Sequence, residues 1–330
     1  MSSRLRRLAG LTAAVTVLTV TASGCVTVHG ELEVVPSATK AEAAQAVKDF
    51  TDAYNKADRA FDPALDAGRV TGALGAINQA GLKAKGINNP NGNPQHVPLE
   101  LADATFTIPK KAGWPRWFVA DTDSNRDADQ GPQDNRWVLV FVRGGADQLW
   151  EVAYLSILAP DEIPAFKTDK AGFAEPVAPA DSSLATTPQE LSKQYATYLQ
   201  SGKPADFVPG QHTTQWRDER SKNARRPGIS TQYVDQALDT GMFAPLGLRT
   251  KDGGALVFFA TRHYEQQTAA KGVRLQVSPD VKALMSGTIT STLTKERVSS
   301  QAVTVPAIGS AKPQVAFLNR IQGLVGAKGS

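Results

Sequence analysis

The chain has four histidines in 330 residues, and none is spaced from another as paired metal ligands would be. His263 lies in a run that alternates as a strand does, so His263 and Glu265 are expected on one face of a sheet. Such a pair could act as a general acid and a general base. The competing interpretation, which we favour, is that both are ordinary polar residues of a sheet surface.

Carboxylates at alternate positions make the run from Asp121 to Asp129 similar in spacing to a calcium loop. An EF-hand is excluded, because Arg126 stands where the sharp turn needs glycine and Pro132 stands where a bidentate glutamate is needed. Two interpretations stay open. The run is either an irregular, weak calcium loop or an acidic turn that joins the strands of Trp117 and Trp137.

Motifs that build a nucleophile or hold a cofactor are poorly represented. Ser37 and Lys40 match the S-x-x-K spacing of penicillin-binding proteins, but no S-D-N or K-T-G accompanies them. The chain contains no G-x-S-x-G, no P-loop and no H-E-x-x-H. We therefore expect no catalytic, cofactor-binding or metal-binding residues, and a protein that is not an enzyme.

Aromatic side chains could stack on sugars of a cell wall, and the chain has five tryptophans. They are Trp114, Trp117, Trp137, Trp150 and Trp216. Four of them lie in or beside apolar strand-like runs, which favours packing in a core over binding of a glycan.

The N-terminus is typical of an export signal. A basic start with Arg4, Arg6 and Arg7 precedes 15 uncharged residues, 8–22. As a helix this run would span roughly 22 Å, less than the ~30 Å hydrocarbon core of a bilayer. Small residues follow, and then Cys25, the only cysteine of the chain. This pattern resembles the lipobox of bacterial lipoproteins, although Ala22 stands where that family more often has leucine.

The lipobox resemblance implies that residues 1–24 are a signal peptide, cut off between Gly24 and Cys25. It also implies that the Cys25 thiol carries a diacylglycerol, which would anchor the chain to the extracytoplasmic face of the cell membrane. The alternative is an ordinary secretory signal with a cysteine near its cleavage site. Export by the Sec route is favoured, because Ala9 and Gly10 follow Arg6–Arg7 where the twin-arginine motif has Phe and Leu.

Charge is unevenly distributed along the chain. The formal net charge is +4, from 36 basic and 32 acidic residues. Residues 25–180 hold 15 basic and 21 acidic side chains, whereas residues 181–330 hold 18 and 11. The acidic cluster is Asp121, Asp123, Asp127, Asp129 and Asp134, and the basic cluster is Arg217, Arg220, Lys222, Arg225 and Arg226. These clusters could help the halves dock, face an anionic envelope polymer or lipid headgroups, or simply be solvated loops. Nucleic acid is disfavoured as a partner, because no binding motif accompanies the basic residues.

Two similar halves are expected from the order of local signals. Capping boxes at Thr39–Glu42 and Thr187–Glu190 each open an amphipathic helix. Second helices are predicted over 69–84 and 231–239. Strands are predicted over 99–108, 116–120, 136–143 and 149–158 in the first half, and over 255–268, 287–297 and 301–306 in the second. The prediction is an α+β protein of two tandem helix-plus-antiparallel-sheet domains, 39–159 and 187–330, which could be a degenerate repeat. Residues 25–38 form the predicted tether and the proline-rich stretch 160–186 the predicted linker.

Helices followed by strands resemble the helix-plus-curved-sheet cones of NTF2-like and cystatin-like proteins. Together with the lipobox, this order is similar to that of uncharacterised lipoproteins of actinobacteria. We expect a membrane-anchored, non-enzymatic binding or scaffolding module of the cell envelope, with an envelope protein or a cell-wall polymer as a possible partner. The alternative is a carrier of a small molecule or lipid in a cone pocket. A hydrolase ranks third.

Overall fold

The structure is a computed structural model, which describes residues 33–128, 131 and 133–330. The predicted signal peptide 1–24, Cys25 and residues 26–32 of the predicted tether lie outside the described residues. So do Asp129, Gln130 and Pro132 of the acidic loop.

The first half contains two helices and an antiparallel four-stranded sheet. The helices are α1 (Lys40–Ala60) and α2 (Gly72–Asn88). The strands of the half are β1 (Val35–Pro36), β2 (Leu101–Thr107), β3 (Lys110–Lys111), β4 (Arg116–Ser124), β5 (Arg136–Arg143) and β6 (Glu151–Leu158). The first sheet has the strand order β2-β4-β5-β6, and β1 pairs separately with β3. All four strands and both helices predicted here are confirmed, with shifted ends.

Helix α1 begins and packs as its sequence predicts. The Thr39 hydroxyl accepts the Glu42 N–H at 3.1 Å, and the Glu42 carboxylate accepts the Thr39 N–H at 2.8 Å, so the predicted capping box is present. The apolar face of the helix rests on the first sheet, where Phe50 meets Phe141 edge-on and Phe141 stacks on Phe118 at 4.8 Å. These rings are buried, which makes the core on this side of the sheet rich in aromatic contacts.

The second half is built around an eight-stranded sheet. The helices are α3 (Pro188–Ser201), α4 (Trp216–Asn223) and α5 (Pro279–Ala283). The strands are β7 (Pro176–Val177), β8 (Arg225–Arg226), β9 (Ile229–Leu238), β10 (Leu246–Arg249), β11 (Ala255–Ala269), β12 (Met285–Gly287), β13 (Thr292–Val305) and β14 (Ala316–Gly329). The order is β12-β14-β13-β11-β10-β7, and the far end of β11 pairs with β9, which in turn pairs with β8. Only the short β12–β14 pair is parallel.

The second half differs from the prediction at four places. Residues 231–239 do not form a helix, because β9 pairs with β11 over ten residues, and this non-local ladder overrides a short helical pattern. The runs 287–297 and 301–306 belong largely to one strand, β13. Strand β14 was not predicted, since its glycines weaken the alternation that marks a strand. The Thr187 capping box is also absent: Thr187 is the N-cap of α3, but its side chain makes no capping bond.

The two halves share a hydrophobic core. Trp117 and Tyr154 of the first sheet pack in one buried cluster with Leu248 and Phe258 of the second. Helix α2 lies between the sheets and contacts β6, β13 and β14. The predicted linker is ordered as well, because β7 adds to the second sheet beside β10. The α+β class is confirmed, whereas the division into two tandem domains at 39–159 and 187–330 stays a prediction.

Candidate functional site

A chain of buried polar side chains crosses three neighbouring strands of the second sheet. Asp235 on β9 and His263 on β11 are directly opposite, and Oδ1 of Asp235 lies 2.6 Å from Nδ1 of His263. On the other side, Nε2 of His263 lies 2.7 Å from Oγ of Ser299 on β13. The order Asp–His–Ser is that of a serine hydrolase triad. We name Asp235, His263 and Ser299 the polar chain.

Helix α4 extends the polar chain with a cation. The Arg220 guanidinium donates two hydrogen bonds to Asp235, at 2.8 and 2.9 Å. Burial disfavours the charged carboxylate, but bonds from His263 and Arg220 outweigh this and lower the pKa of Asp235. Burial lowers the pKa of His263 to about 4, so the ring is neutral at neutral pH. The bidentate pair therefore holds Asp235 as an anion between one cation and one neutral imidazole.

The hydroxyl of the polar chain is closed off from solvent. Ser299 is 0% exposed and His263 is 3% exposed. Oγ of Ser299 also lies 3.4 Å from the Thr261 carbonyl and within hydrogen-bond distance of the Gln301 side chain. A nucleophile must reach a substrate carbonyl, and this one is enclosed by its own sheet. The arrangement can hold β9, β11 and β13 in register, which is a structural role.

Trp216 covers the polar chain with both of its faces occupied. Its ring meets His263 edge-on at 5.0 Å between centroids. The guanidinium carbons of Arg220 and Arg320 lie 3.8 and 3.4 Å from the Trp216 centroid, and two groups that close cannot share a face. Trp216 is therefore not free to stack on a sugar. Core packing, the predicted role of the tryptophans, is confirmed for Trp117 and Trp150, which are 3% and 6% exposed.

The predicted His263–Glu265 pair does not form. Glu265 instead accepts bonds from Lys295 at 3.0 Å and Arg297 at 2.9 Å. His263 is no surface residue either, so both interpretations of it from the sequence are wrong. Asp235 and Ser299 were missed, because partners on other strands leave no signal in local spacing.

The two residues of the S-x-x-K match lie in different environments. Lys40 is exposed at the start of α1, whereas Ser37 is buried beside β3.

Two carboxylates of the acidic loop, Asp121 and Asp127, are bonded by protein groups. Arg136 bonds to Asp121 at 2.6 Å and to Asp103 at 3.2 Å. Asp127 accepts the Asn135 N–H at 2.6 Å, which closes the turn. Within residues 33–128, 131 and 133–330, no three His, Cys, Asp or Glu side chains are grouped so that they could hold a metal ion. The acidic turn that joins β4 and β5 is thus the interpretation that these contacts support, while Asp129 lies outside the described residues.

A cleft of about 440 Å³ opens where the end of the first sheet meets the start of α2 and the turn Gly241–Phe243. Most of its lining is apolar. The apolar lining side chains are Trp114, Pro115, Val142, Ala153, Met242, Ala244 and Leu246. We call this space the apolar cleft.

Two local features build the apolar cleft. The Tyr154 hydroxyl donates to the carbonyls of Phe243 and Ala244, 2.8 and 3.0 Å away, and so ties the turn to β6. Gly72 begins α2 with φ of 55°, and a Cβ there would lie 2.6 Å from the Met242 carbonyl. A larger residue would push the turn away, so glycine is what lets the helix start beneath it.

Three polar side chains face into the apolar cleft: Thr71, Gln148 and Glu151. Thr71 is the N-cap of α2, but its hydroxyl makes no capping bond. Burial raises the pKa of Glu151, and no basic group counteracts this. The cleft therefore combines a large apolar wall with a few polar groups available to a ligand, the composition that is typical of small-molecule sites.

Comparison with known proteins places the chain in a family. A domain family described as "Domain of unknown function (DUF8094)" matches residues 34–329. The chain belongs to the DUF8094 family. A relative from Streptomyces coelicolor, "Uncharacterized lipoprotein SCO2278", is 54% identical over 99% of this chain and 96% of its own length. An "Uncharacterized lipoprotein" from Streptomyces avermitilis is 56% identical over 98% of this chain and 96% of its own length.

Lipoprotein is thus the class to which close relatives of this DUF8094 chain are assigned, in agreement with the lipobox prediction. A more distant relative from Streptomyces coelicolor, "Uncharacterized lipoprotein SCO6871", is 26% identical over 63% of this chain and 59% of its own length. Cys25, the predicted lipid-attachment residue, lies outside the described residues. In the part of the chain that is described, no helix is both long and apolar enough to span a bilayer.

Proposed function

We propose that this protein is a lipid-anchored, non-enzymatic binding protein on the extracytoplasmic face of the membrane, and that its apolar cleft takes the ligand. The observation that carries the proposal is the cleft itself. Its volume of about 440 Å³ lies in the range of small-molecule sites, roughly 300–1,000 Å³. The anchor is supported by Cys25 in its lipobox and by the lipoprotein names of the relatives.

The chemistry of the lining defines the ligand class. Trp114, Met242 and Leu246 offer apolar surface, so most of the ligand should be hydrocarbon or aromatic. Glu151 and Thr71 can accept or donate a hydrogen bond at one side. The occupant is therefore a small amphipathic molecule with few polar groups, which corresponds to the carrier function expected as the alternative from the sequence.

A non-enzymatic role is supported by the state of the polar chain. Its serine is enclosed, and its histidine is already bonded on both ring nitrogens. The NTF2-like or cystatin-like cones expected from the element order belong to the same proposal, supported by a helix resting on each sheet. A scaffold for an envelope protein or a cell-wall polymer is the competing function, and the test below separates the two.

The test measures binding of a neutral apolar dye, N-phenyl-naphthylamine, to the predicted mature chain, residues 25–330, carrying Cys25→Ser so that it has no lipid anchor. Ala244 is exposed at the rim of the apolar cleft, and Ala244→Trp would fill the space. We expect the dye affinity to fall at least tenfold, because the indole occupies the volume that the dye needs.

The matched control is Ala311→Trp, which adds the same ring at an exposed alanine outside the cleft lining. It should leave the dye affinity within about twofold, and both variants should keep the parent melting temperature. Equal dye binding by the parent and by Ala244→Trp would overturn the cleft as the ligand site and would favour the scaffold.

A further inference from the structure

Two turns meet at one end of the second sheet and form a basic surface. The first turn follows β8 and contains Gly228, and the second follows β11 and contains Val273. The Ala270 N–H donates to the Gly228 carbonyl at 2.8 Å, and a Cβ at Gly228 would lie 2.6 Å from Val273. We define the basic tip by its five exposed cations, Lys222, Arg225, Arg226, Lys271 and Arg274.

The segments that carry the basic tip are poor in negative charge. Residues 220–234 and 266–279 include neither Asp nor Glu, and the acidic residues that precede Lys222 on α4 are Asp218 and Glu219. In the described part of the chain, none of the five cations is in an ion pair, in contrast to Arg220, Arg249 and Arg297. Three of the five cations, Lys222 on α4 and Arg225 and Arg226 on β8, precede the first turn, and the other two lie in the second. Like charges gathered in this way repel one another, so an anionic surface nearby would stabilise them.

The structure changes the membership of the basic cluster predicted from sequence. Arg220 is buried against Asp235, and Arg217 lies over the Tyr198 ring with its Nε bonded to the Leu199 carbonyl. Lys271 and Arg274 take their place, although they lie about 50 residues further along the chain. Val273, between them in sequence, is 37% exposed and lies against Gly228, which puts an apolar side chain where the two turns meet.

We propose that the basic tip rests on the anionic headgroups of a lipid bilayer. Basic residues at such a surface each contribute about 1 kcal/mol, which is about fivefold in partition coefficient. Val273 fits the same occupant, because an apolar side chain can enter the interfacial region that the cations approach. The predicted lipid anchor at Cys25 would hold the chain at a bilayer, which favours this surface over a soluble polyanion. The inference goes beyond the proposed function, since it requires neither the apolar cleft nor a ligand.

The first experiment is co-sedimentation of the predicted mature chain, residues 25–330 with Cys25→Ser, with phosphatidylcholine vesicles that do or do not contain phosphatidylglycerol. We expect binding only to the phosphatidylglycerol vesicles, and loss of that binding near 1 M salt, where the screening length is about 3 Å. Adding Arg225→Gln and Arg226→Gln should reduce the partition coefficient about 25-fold.

The matched control is Lys83→Gln with Lys312→Gln, which removes two exposed cations outside the tip. It should change the partition coefficient less than threefold. An equal loss in both double variants would show that net charge, and not the basic tip, attracts the vesicles. Displacement by inorganic phosphate at constant ionic strength would show a discrete phosphate site. Either outcome overturns the proposal.

The second experiment locates the contact. Since Cys25 is the only cysteine, Val273→Cys in the Cys25→Ser chain takes a single environment-sensitive NBD label. Its emission should rise and shift to the blue on phosphatidylglycerol vesicles, whereas a label at Leu149→Cys, also exposed, should not respond. An unchanged label at position 273 on vesicle-bound protein, or an equal response at 149, would contradict the proposal.

Discussion

The two halves place a helix on a sheet in the same order, yet they fill their interiors differently. Beneath α1, the first sheet packs mainly apolar side chains, with Phe50, Phe118 and Phe141 in contact. Its buried polar groups on β4 are the small hydroxyls of Thr122 and Ser124. The second sheet also packs aromatic residues beneath α3, but it buries the polar chain of Asp235, His263 and Ser299 as well. Helix α4, which brings Arg220 over this part of the sheet, has no counterpart among the described residues of the first half.

The difference concerns how strongly each sheet fixes its strand register. An apolar core tolerates a substitution if volume is kept, because apolar contacts are not directional. Asp235 must lie opposite His263, and Ser299 must lie diagonally from it, opposite Thr261. A slip of one residue would turn these side chains to the other face. We therefore expect the second sheet to be far less tolerant of polar truncation than the first.

The largest expected effect follows from removing the buried carboxylate. Asp235→Ala leaves the Arg220 guanidinium buried without its partner, and His263 loses the bond at Nδ1. We expect the free energy of unfolding to fall by about 3–5 kcal/mol, measured by urea denaturation.

A double replacement separates lost charge pairing from lost packing. Arg220→Met with Asp235→Leu removes both charges and keeps apolar volume, so it should cost clearly less than Asp235→Ala alone. If the double variant is as unstable as the single one, the unpaired charge is not the source of the effect. The expected difference between the two sheets in their tolerance of polar truncation would then not rest on the Arg220–Asp235 pair.

Acid sensitivity gives the second prediction. The folded pKa of His263 is about 4, below its ordinary value of 6.5. The unfolded chain therefore binds a proton that the folded chain resists, so stability is present above pH 6.5 and is lost as the pH falls toward 4. Over the whole window this amounts to roughly 3 kcal/mol.

The measurement is the unfolding free energy at several pH values, compared between the parent and His263→Gln. The variant is less stable at neutral pH but should lack most of the loss between pH 6.5 and 4. Parallel pH profiles would show that other groups cause the acid sensitivity and that protonation of the buried His263 does not contribute to it.

Local patterns in the sequence predicted local structure well. The Thr39–Glu42 spacing gave α1 its observed start, and the apolar run at 136–143 coincides with β5. What the sequence could not predict depends on contacts between distant residues. The pairing that makes 229–238 a strand comes from β11, and the partners of His263 lie 28 and 36 residues away.

The apolar cleft was equally hidden from the sequence. Its walls come from α2, the ends of the first sheet and the turn after β9, and no single stretch carries its pattern. Cys25 is the opposite case. A covalent modification is specified by a short contiguous motif, so the sequence alone predicts it, although the residue lies outside the described part of the chain.

The smallest expected effect separates the two helix starts that look alike in sequence. Thr39 caps α1 with both bonds of a capping box, whereas Thr187 precedes α3 with a hydroxyl that makes no hydrogen bond to a described group.

Thr39→Ala should lower the unfolding free energy by about 1 kcal/mol, the usual cost of losing an N-cap. Thr187→Ala should change it by less than about 0.5 kcal/mol, because no capping bond is lost and Pro188 already favours the first helical turn. Serine at each position is the conservative control and should restore α1 while leaving α3 unchanged. Equal losses at the two threonines would mean that both helices are capped in solution, and the halves would then be more alike at their helix starts than in their cores.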